Sequence, residues 1–303
     1  MDQTVKQGYW IENGKICTPG GCELNAVQHC NLTCRGCSHL SPVLAKQSVR
    51  PDEVFHDFSI LAKYYRPQNI KIVGGEPLLH RDLVSVIKAL RESKICQEII
   101  VSTNGLLLPR VPQAFWEVVN TVMVSVYPGQ ELPLDELLEV KRCAMASKTK
   151  LFLKPIPYFR AAYSERGVKN VELIHQIYAS CKIAHEWRCH TVHEGYFHKC
   201  PPNVFIQKVV DHAGIPPHTD SVEIRDAPSF AQELRVYLES AEPLAACQYC
   251  LGTAGKLHVN EQVGRRNWRT FQQRPLEDLV DHEKLVPIDT KVSPFPMRQS
   301  AGE

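Results

Sequence analysis

The chain has 303 residues, 35 Lys and Arg against 33 Asp and Glu, a formal charge of +2, 44% hydrophobic and 22% charged residues, enough length and apolar content for one large core or two smaller ones. The near-balance of charge leaves no electrostatic footprint for nucleic acid or an anionic membrane surface, and no apolar run nears the roughly 20 residues that span a bilayer. The start, Met1-Asp2-Gln3-Thr4, lacks the basic and apolar stretches of a signal peptide, so a cytoplasmic protein is expected, with no membrane and no nucleic-acid partner. Twelve cysteines are present, and in a reducing compartment thiols clustered at short spacing read as metal ligands before disulfides.

From Glu23 to Ile156 short apolar runs alternate with helical patterns. The expected strands are Glu23 to Gln28, Asn69 to Val73, Glu98 to Thr103, Thr121 to Tyr127 and Lys150 to Ile156, each nearly continuous, as parallel strands covered on both faces are. Between them, Leu83, Val86, Ile87 and Leu90 fall at helical spacing. Pro51-Asp52-Glu53 and Pro133-Leu134-Asp135-Glu136 read as helix starts. This rhythm is α/β with a parallel sheet, either a barrel, full or partial, or a doubly wound sheet. After Tyr158 the rhythm breaks: a helix near Val171 to Ala184, a hairpin from His190 to Lys199 turning at Glu194-Gly195, a loop at Gly214 to His218, and a helix with Phe230, Leu234, Tyr237 and Leu238 on one face. Alternating histidines on that hairpin read as surface. Beyond Asp281 three prolines and a polar end suggest a strap or disorder.

Cys30, Cys34 and Cys37 stand at C-x3-C-x2-C directly after the first strand. Three thiolates on one loop can hold three corners of a [4Fe–4S] cube and leave one iron open; a zinc knuckle would need His29 or His39 to complete it. The segment Gly74-Gly75-Glu76-Pro77 closes the second strand. Together these motifs resemble the radical S-adenosylmethionine (SAM) enzymes, over roughly Glu23 to Tyr158. The resemblance implies a partial (βα)6 TIM-like barrel as the core, over residues 23–180 behind an N-terminal extension of 1–22. It implies SAM on the open iron, with Gly74, Gly75, Glu76 and Pro77 at its amino group, a side-chain-free backbone approaching closely while a carboxylate meets an ammonium. Ser102 and Asn104 after the third strand and Ser125 near the end of the fourth are placed for the SAM carboxylate and ribose, or else are turn chemistry. In one respect the chain departs from the family: the residue before the third cysteine is usually aromatic and packs on the adenine, whereas here it is Gly36.

A second set, Cys181, Cys200, Cys247 and Cys250, has the pattern C-x18-C-x46-C-x2-C. It resembles the shortened auxiliary-cluster module, called twitch and related to SPASM domains, of radical SAM enzymes akin to 2-deoxy-scyllo-inosamine dehydrogenase. That resemblance implies a second auxiliary [4Fe–4S] cluster in residues 181–255, with 256–303 as a C-terminal segment and tail; a zinc ribbon is the competing reading. Cys181 shares a helical face with Ile174, Ile177 and Tyr178 and could be core, with Cys189 the ligand in its place. Cys189 could equally be a hydrogen donor to a carbon radical. Cys17, Cys22, Cys96 and Cys143 have no partner at ligand spacing and read as buried small hydrophobes. Arg160 and Arg166 follow the fifth strand, at the C-terminal mouth where βα-barrel sites gather, to bind substrate hydroxyls or assist a deprotonation. Lys256, Arg265, Arg266 and Arg269 read as a solvated face or a contact for a phosphorylated substrate or a reductant.

The expected activity is hydrogen abstraction from a small hydroxylated molecule, a sugar or aminocyclitol, followed by oxidation with the auxiliary cluster taking the electron. A flavodoxin- or ferredoxin-type protein would be the reductant. The rival reading is a radical SAM epimerase with Cys189 returning hydrogen to the opposite face. Peptide modification is a third, weakened because only about 20 residues precede the first strand where such enzymes often carry a leader-binding domain. A zinc-bound, non-enzymatic interaction protein would leave Gly74-Gly75-Glu76-Pro77 without a role.

Overall fold

The computed structural model describes residues 8–210 and 214–288, together with the backbone of 297–298. Two short strands, β1 (Trp10–Glu12) and β2 (Lys15–Cys17), make an antiparallel ribbon ahead of β3 (Cys22–Val27). The alternating run follows: α1 (Pro51–Tyr64), β4 (Tyr65–Arg66), β5 (Asn69–Gly74), α2 (Leu83–Glu92), β6 (Glu98–Thr103), α3 (Gln113–Val118), β7 (Thr121–Val126), α4 (Leu134–Ala146) and β8 (Lys150–Pro155). Then come β9 (Tyr158–Arg160), α5 (Val171–Ala179), β10 (His190–His193), β11 (Tyr196–His198), α6 (Pro201–Val209), β12 (Ser221–Glu223), α7 (Pro228–Glu239), β13 (Leu257–Val259), α8 (Leu276–Leu279) and β14 (Met297–Arg298).

The main sheet runs β12-β11-β10-β3-β5-β6-β7-β8. Its six strands from β10 to β8 are parallel, the α/β partial barrel that the sequence predicts. The sixth parallel strand joins beside β3, with His190 opposite Cys22, so the hairpin β10–β11 is continuous with the main sheet. Its turn is as expected: Glu194 (φ 49°) and Gly195 (φ 78°) both lie in the left-handed region, the geometry of a two-residue hairpin turn.

Registered neighbours Val192, Leu24, Ile72, Val101 and Val122 form one apolar row across the sheet and pack with Val54, Phe58, Val86, Ile87 and Leu90 of the helices into the largest core. The opposite face carries Glu23, Lys71 and Thr191, also mutually in register. Pro51 opens α1 as the first helical residue, with Asp52 and Glu53 in the first turn, where the helix dipole favours carboxylates. The helix expected to reach Ala184 ends at Ala179; the chain turns at Ser180 and Cys181 into a π turn, Ile183–Trp187.

The hairpin histidines are not at the surface. His190, His193 and His198 are buried, and His190 lies between two tyrosine hydroxyls, Tyr9 at 2.7 Å and Tyr65 at 2.6 Å. Because β10 is an interior strand of an eight-stranded sheet, its polar residues are forced into a core that must supply partners for them. Cys17 and Cys22 are buried, as expected of unpaired thiols, whereas Cys96 and Cys143, expected to be buried as well, are only partly so and pack against the main core. The predicted C-terminal strap falls mostly outside the described residues. Among the described residues no helix is long and apolar enough to cross a membrane.

Candidate active site

The cysteine loop leaves the C-terminal end of β3, and the turns after β5, β6 and β7 surround it. Leu32 N donates to Cys30 Sγ at 3.4 Å and Gln262 Nε2 to Cys34 Sγ at 3.0 Å. The backbone N–H groups of His39, Leu40 and Ser41 point at the Cys37 thiol. Burial pushes Cys30 up to about 12 and Cys34 up to about 11; such thiols ionise when a metal group takes them as ligands. N–H donors aimed at the sulfurs are what a thiolate-bound cluster calls for. The three cysteines thus fit the iron–sulfur cube expected of them.

The two glycines after β5 allow the loop to sit where it does. A Cβ on Gly75 would lie 2.0 Å from the His29 carbonyl oxygen, and one on Gly74 2.1 Å from that of Val27. Glu76 is fully buried and its carboxylate is taken up internally: Thr103 Oγ1 at 2.5 Å, Leu78 N at 3.0 Å and Asn104 N at 2.8 Å all donate to it. The carboxylate expected to meet an ammonium thus already has three donors from within the chain. Glu76 ties the ends of β5 and β6 together and aims the backbone around it, while the buried Pro77 begins a 3-10 turn. Asn104 is brought to the cysteine loop, its Nδ2 donating to Asn31 Oδ1 at 2.7 Å with Cys30 Sγ 3.9 Å away. Ser102 and Ser125 lie on the neighbouring strands β6 and β7 and are half-buried. Tyr127, just past β7, lies within electrostatic reach of all three thiols and bonds to Ser125; its ring meets Phe159 edge-on at 5.6 Å.

The segment from β13 to Phe271 closes over the loop, a role that no periodicity announced. Thr33 N donates to Gln262 Oε1 at 2.7 Å, Arg35 N to Glu261 O at 2.9 Å, Val263 N to Thr33 O at 3.1 Å, and Trp268 Nε1 to Cys34 O at 2.8 Å. Arg265, exposed as expected, also reaches Cys30 O at 3.4 Å, and Arg269 pairs with Glu165 at 3.0 Å. This clasp also explains Gly36. Its φ is +69°, and a Cβ there would lie 2.5 Å from His258 Nε2, so a ring from β13 occupies the space beside the residue where the family has an aromatic side chain. His258 Nε2 is buried without a partner and the ring sits edge-on to Phe271 at 4.9 Å. Arg160, in β9 beside β13, has its carbonyl oxygen 3.4 Å from that same position and its Nη1 buried and unpartnered. Arg166 is exposed on the turn after Ser164 and is not brought to the loop.

The second set gathers. Cys181, Cys200, Cys247 and Cys250 line one small cavity with Ile177, Tyr178, Ile183 and Leu244, and each of Cys200, Cys247 and Cys250 feels the charge of others in the set. Gly252 N donates to Cys250 Sγ at 3.3 Å. Cys189 is elsewhere. It lines a cavity of about 420 Å³ with Glu23, Lys71 and Lys154, on the inner face of the sheet, and burial with the nearby Glu23 carboxylate pushes its thiol up to about 12. It is level with Gly21, six residues before the end of β3, and thus roughly 20 Å along the strands from the cysteine loop. Glu23 itself is pushed up to about 7 by burial, opposed by Lys71. As the side chains stand, no group of three or more His, Cys, Asp or Glu among the described residues is gathered tightly enough to hold a metal ion. The fit of either thiol set to a cluster rests on the donors at the sulfurs and on the shared cavity.

Residues 24–171 match the profile of the Radical SAM superfamily. The chain is 34% identical over 80 residues to a probable GTP 3',8-cyclase of Thermoplasma volcanium, covering 26% of this chain and 24% of that one. It is 32% identical over 102 residues to a probable GTP 3',8-cyclase of Sulfurisphaera tokodaii, covering 32% and 31%. The match therefore spans about a quarter to a third of those relatives. Among solved structures, BtrN in complex with AdoMet and 2-DOIA is 14% identical, with a TM-score of 0.44 over 78% of this chain and 94% of that one. Streptococcus suis SuiB is 16% identical, with a TM-score of 0.36 over 46% and 33%.

Proposed function

We propose, for a chain whose residues 24–171 match the Radical SAM profile, an enzyme that cleaves SAM reductively and oxidises a small hydroxylated molecule, a sugar or aminocyclitol, at a carbon bearing a hydroxyl or amine. The observation that carries the reading is the second thiol set: four cysteines, from the turn after α5, the start of α6 and the Cys247–Cys250 turn, line one cavity that holds none of the Cys30–Cys37 thiols. Cys30, Cys34 and Cys37 would hold a cluster that supplies the electron for cleaving SAM, and Cys181, Cys200, Cys247 and Cys250 would hold a second that takes up the substrate's electron. The chain's own residues then have defined tasks. Gln262 and the backbone at Leu32 steady the thiolates, Gly74 and Gly75 let the turn after β5 approach, and Trp268 and Phe271 with the rest of the clasp exclude water. Arg160, with a buried N–H that has no partner, is the residue we assign to bind a substrate hydroxyl or carry its proton away.

The position of Cys189 favours oxidation over epimerisation. A hydrogen donor has to reach the carbon from which hydrogen was taken, and Cys189 lies at the far end of the strands. A second reading, chemistry on a nucleoside triphosphate, draws on the relatives named GTP 3',8-cyclase, with which the chain shares a quarter to a third of their length. One experiment separates them. The anaerobically reconstituted protein is given SAM, dithionite and either aminocyclitols and hexoses deuterated at their carbinol carbons or GTP, and 5'-deoxyadenosine is analysed by mass. Deuterium transfer with formation of a ketone, retained in Cys189→Ala, is the expected result. Turnover with GTP alone refutes the oxidation, and loss of product with continued SAM cleavage in Cys189→Ala restores the epimerase.

A further inference from the structure

Lys199 joins β11 to Cys200, and it is 3% exposed. Its ammonium donates to Tyr178 Oη at 3.1 Å and to the Ser240 carbonyl oxygen at 2.9 Å, and it stands 5.8 Å from the centre of the Tyr178 ring and 5.4 Å from that of Tyr237. Among the described residues no carboxylate pairs with it; Asp220, the acid of this region, is occupied by the Ala245 and Ala246 N–H groups, each at 2.8 Å. A lysine is almost never fully buried without an anion, because an uncompensated charge in a low-dielectric interior is expensive. Two neutral oxygens and two ring faces do not supply that anion. The groups that act on Lys199 electrostatically are the thiols of Cys200 and Cys247, and Tyr178, to which the ammonium is bonded, lines the same cavity as the four cysteines.

We propose that Lys199 is the internal counter-charge of the group held by Cys181, Cys200, Cys247 and Cys250, and that its fixed ammonium raises the reduction potential of that group, making it the better electron acceptor. The inference rests on the reading of this set as a second cluster and adds to it a residue that the cysteine pattern does not contain. A cubane with four thiolates is an anion, its reduction adds one more negative charge, and a positive charge nearby stabilises the reduced form more than the oxidised one. Lys199 touches neither substrate nor the reacting atoms; it is a positioning residue that acts through the cluster's charge. Its side chain is held by the Tyr178 and Ser240 contacts, and its backbone N–H donates to Tyr237 Oη at 2.8 Å.

The test uses the full chain with Cys30, Cys34 and Cys37 all changed to Ala, so that only the second set can hold a cluster, reconstituted anaerobically with iron and sulfide. Reductive titration followed by electron paramagnetic resonance gives the midpoint for Lys199, Lys199→Met and Lys199→Arg. The expected result is a cluster retained in Lys199→Met whose reduced-to-oxidised ratio at fixed potential falls at least tenfold, equivalent to about 59 mV for one electron, with Lys199→Arg close to the parent. An unchanged midpoint in Lys199→Met overturns the proposal. If Lys199→Met holds no iron, Lys199→Arg decides: iron retained at the parent midpoint supports the counter-charge, and iron lost in both variants overturns it in favour of a packing role. Zinc, or no metal, in the parent protein is a different failure, that of the second-cluster reading itself, and the proposal falls with it.

Discussion

Gly75→Ala tests whether the cysteine loop is placed by backbone contact. A Cβ at this position would lie 2.0 Å from the His29 carbonyl oxygen, 2.3 Å from its carbonyl carbon and 2.9 Å from Cys30 N. All three are main-chain atoms of the loop itself, so no side chain can rotate away. An ordinary carbon–oxygen contact needs more than an ångström of extra room, which only a shift of His29-Cys30 or of the end of β5 provides, and the latter is pinned by Gly75 N donating to Val27 O at 2.9 Å and Glu76 N to His29 O at 3.0 Å. Overpacking typically costs 1–3 kcal/mol, and a backbone-to-backbone clash belongs at the upper end, about 3 kcal/mol. For a chain of this size that is a fall in melting temperature of about 5 °C. Iron analysis of the reconstituted variant should show the Cys30–Cys37 cluster lost and the second retained, while Gly264→Ala, with open space around it, should match wild type in both assays. Wild-type melting and full iron in Gly75→Ala would refute the argument.

Gln262→Leu removes the donor on Cys34 Sγ and the acceptor for Thr33 N; the SAM-binding cluster should become harder to reduce, and SAM cleavage driven by a weak reductant should fall several-fold and recover with a stronger one. An unshifted midpoint would count against the clasp. His190 is pushed down to about 3, by burial first and then by Lys199 and Arg188, so the unfolded chain binds its proton near pH 6.5 while the folded one does not. Stability from this group is therefore present above pH 6.5 and lost as pH falls toward 3, by up to about 2–3 kcal/mol between pH 6.5 and 4.5. Glu23, raised to about 7, runs the opposite way, so the measure is the difference between wild type and His190→Gln: the variant's melting temperature should depend less steeply on pH in that window. Parallel profiles would remove His190 as the cause.

The parallel strands were legible because each is a short apolar run between helices with one apolar face, and Leu83, Val86, Ile87 and Leu90 are all buried as their spacing requires. The three thiols of the Cys30–Cys37 loop and the Cys247–Cys250 pair were legible because their spacing is local, whereas it takes the fold to put Cys181 rather than Cys189 in one cavity with Cys247 and Cys250. What escaped has no local signature. The strand that becomes the sixth parallel member, His190–His193, reads as half of a hairpin, and only its pairing with Cys22–Leu24 turns its histidines inward. The clasp contacts the cysteine loop across more than two hundred residues, as Gln262 to Cys34 does, through backbone hydrogen bonds and single polar side chains that leave no periodic trace. Gly36 signals the gap that His258 fills, but a glycine does not name the residue that takes its place. Lys199 was hidden by its type: a lysine beside a cysteine reads as solvated until its burial is seen.

The central claim is that two thiol sets hold two iron–sulfur clusters, and the direct measurement is iron and sulfide per chain after anaerobic reconstitution, for wild type and for the Cys30/Cys34/Cys37→Ala protein. The account predicts about eight irons falling to about four, as two cubanes require. About four falling to none would contradict it, leaving a single SAM-binding cluster and removing the electron acceptor on which oxidation of the substrate depends.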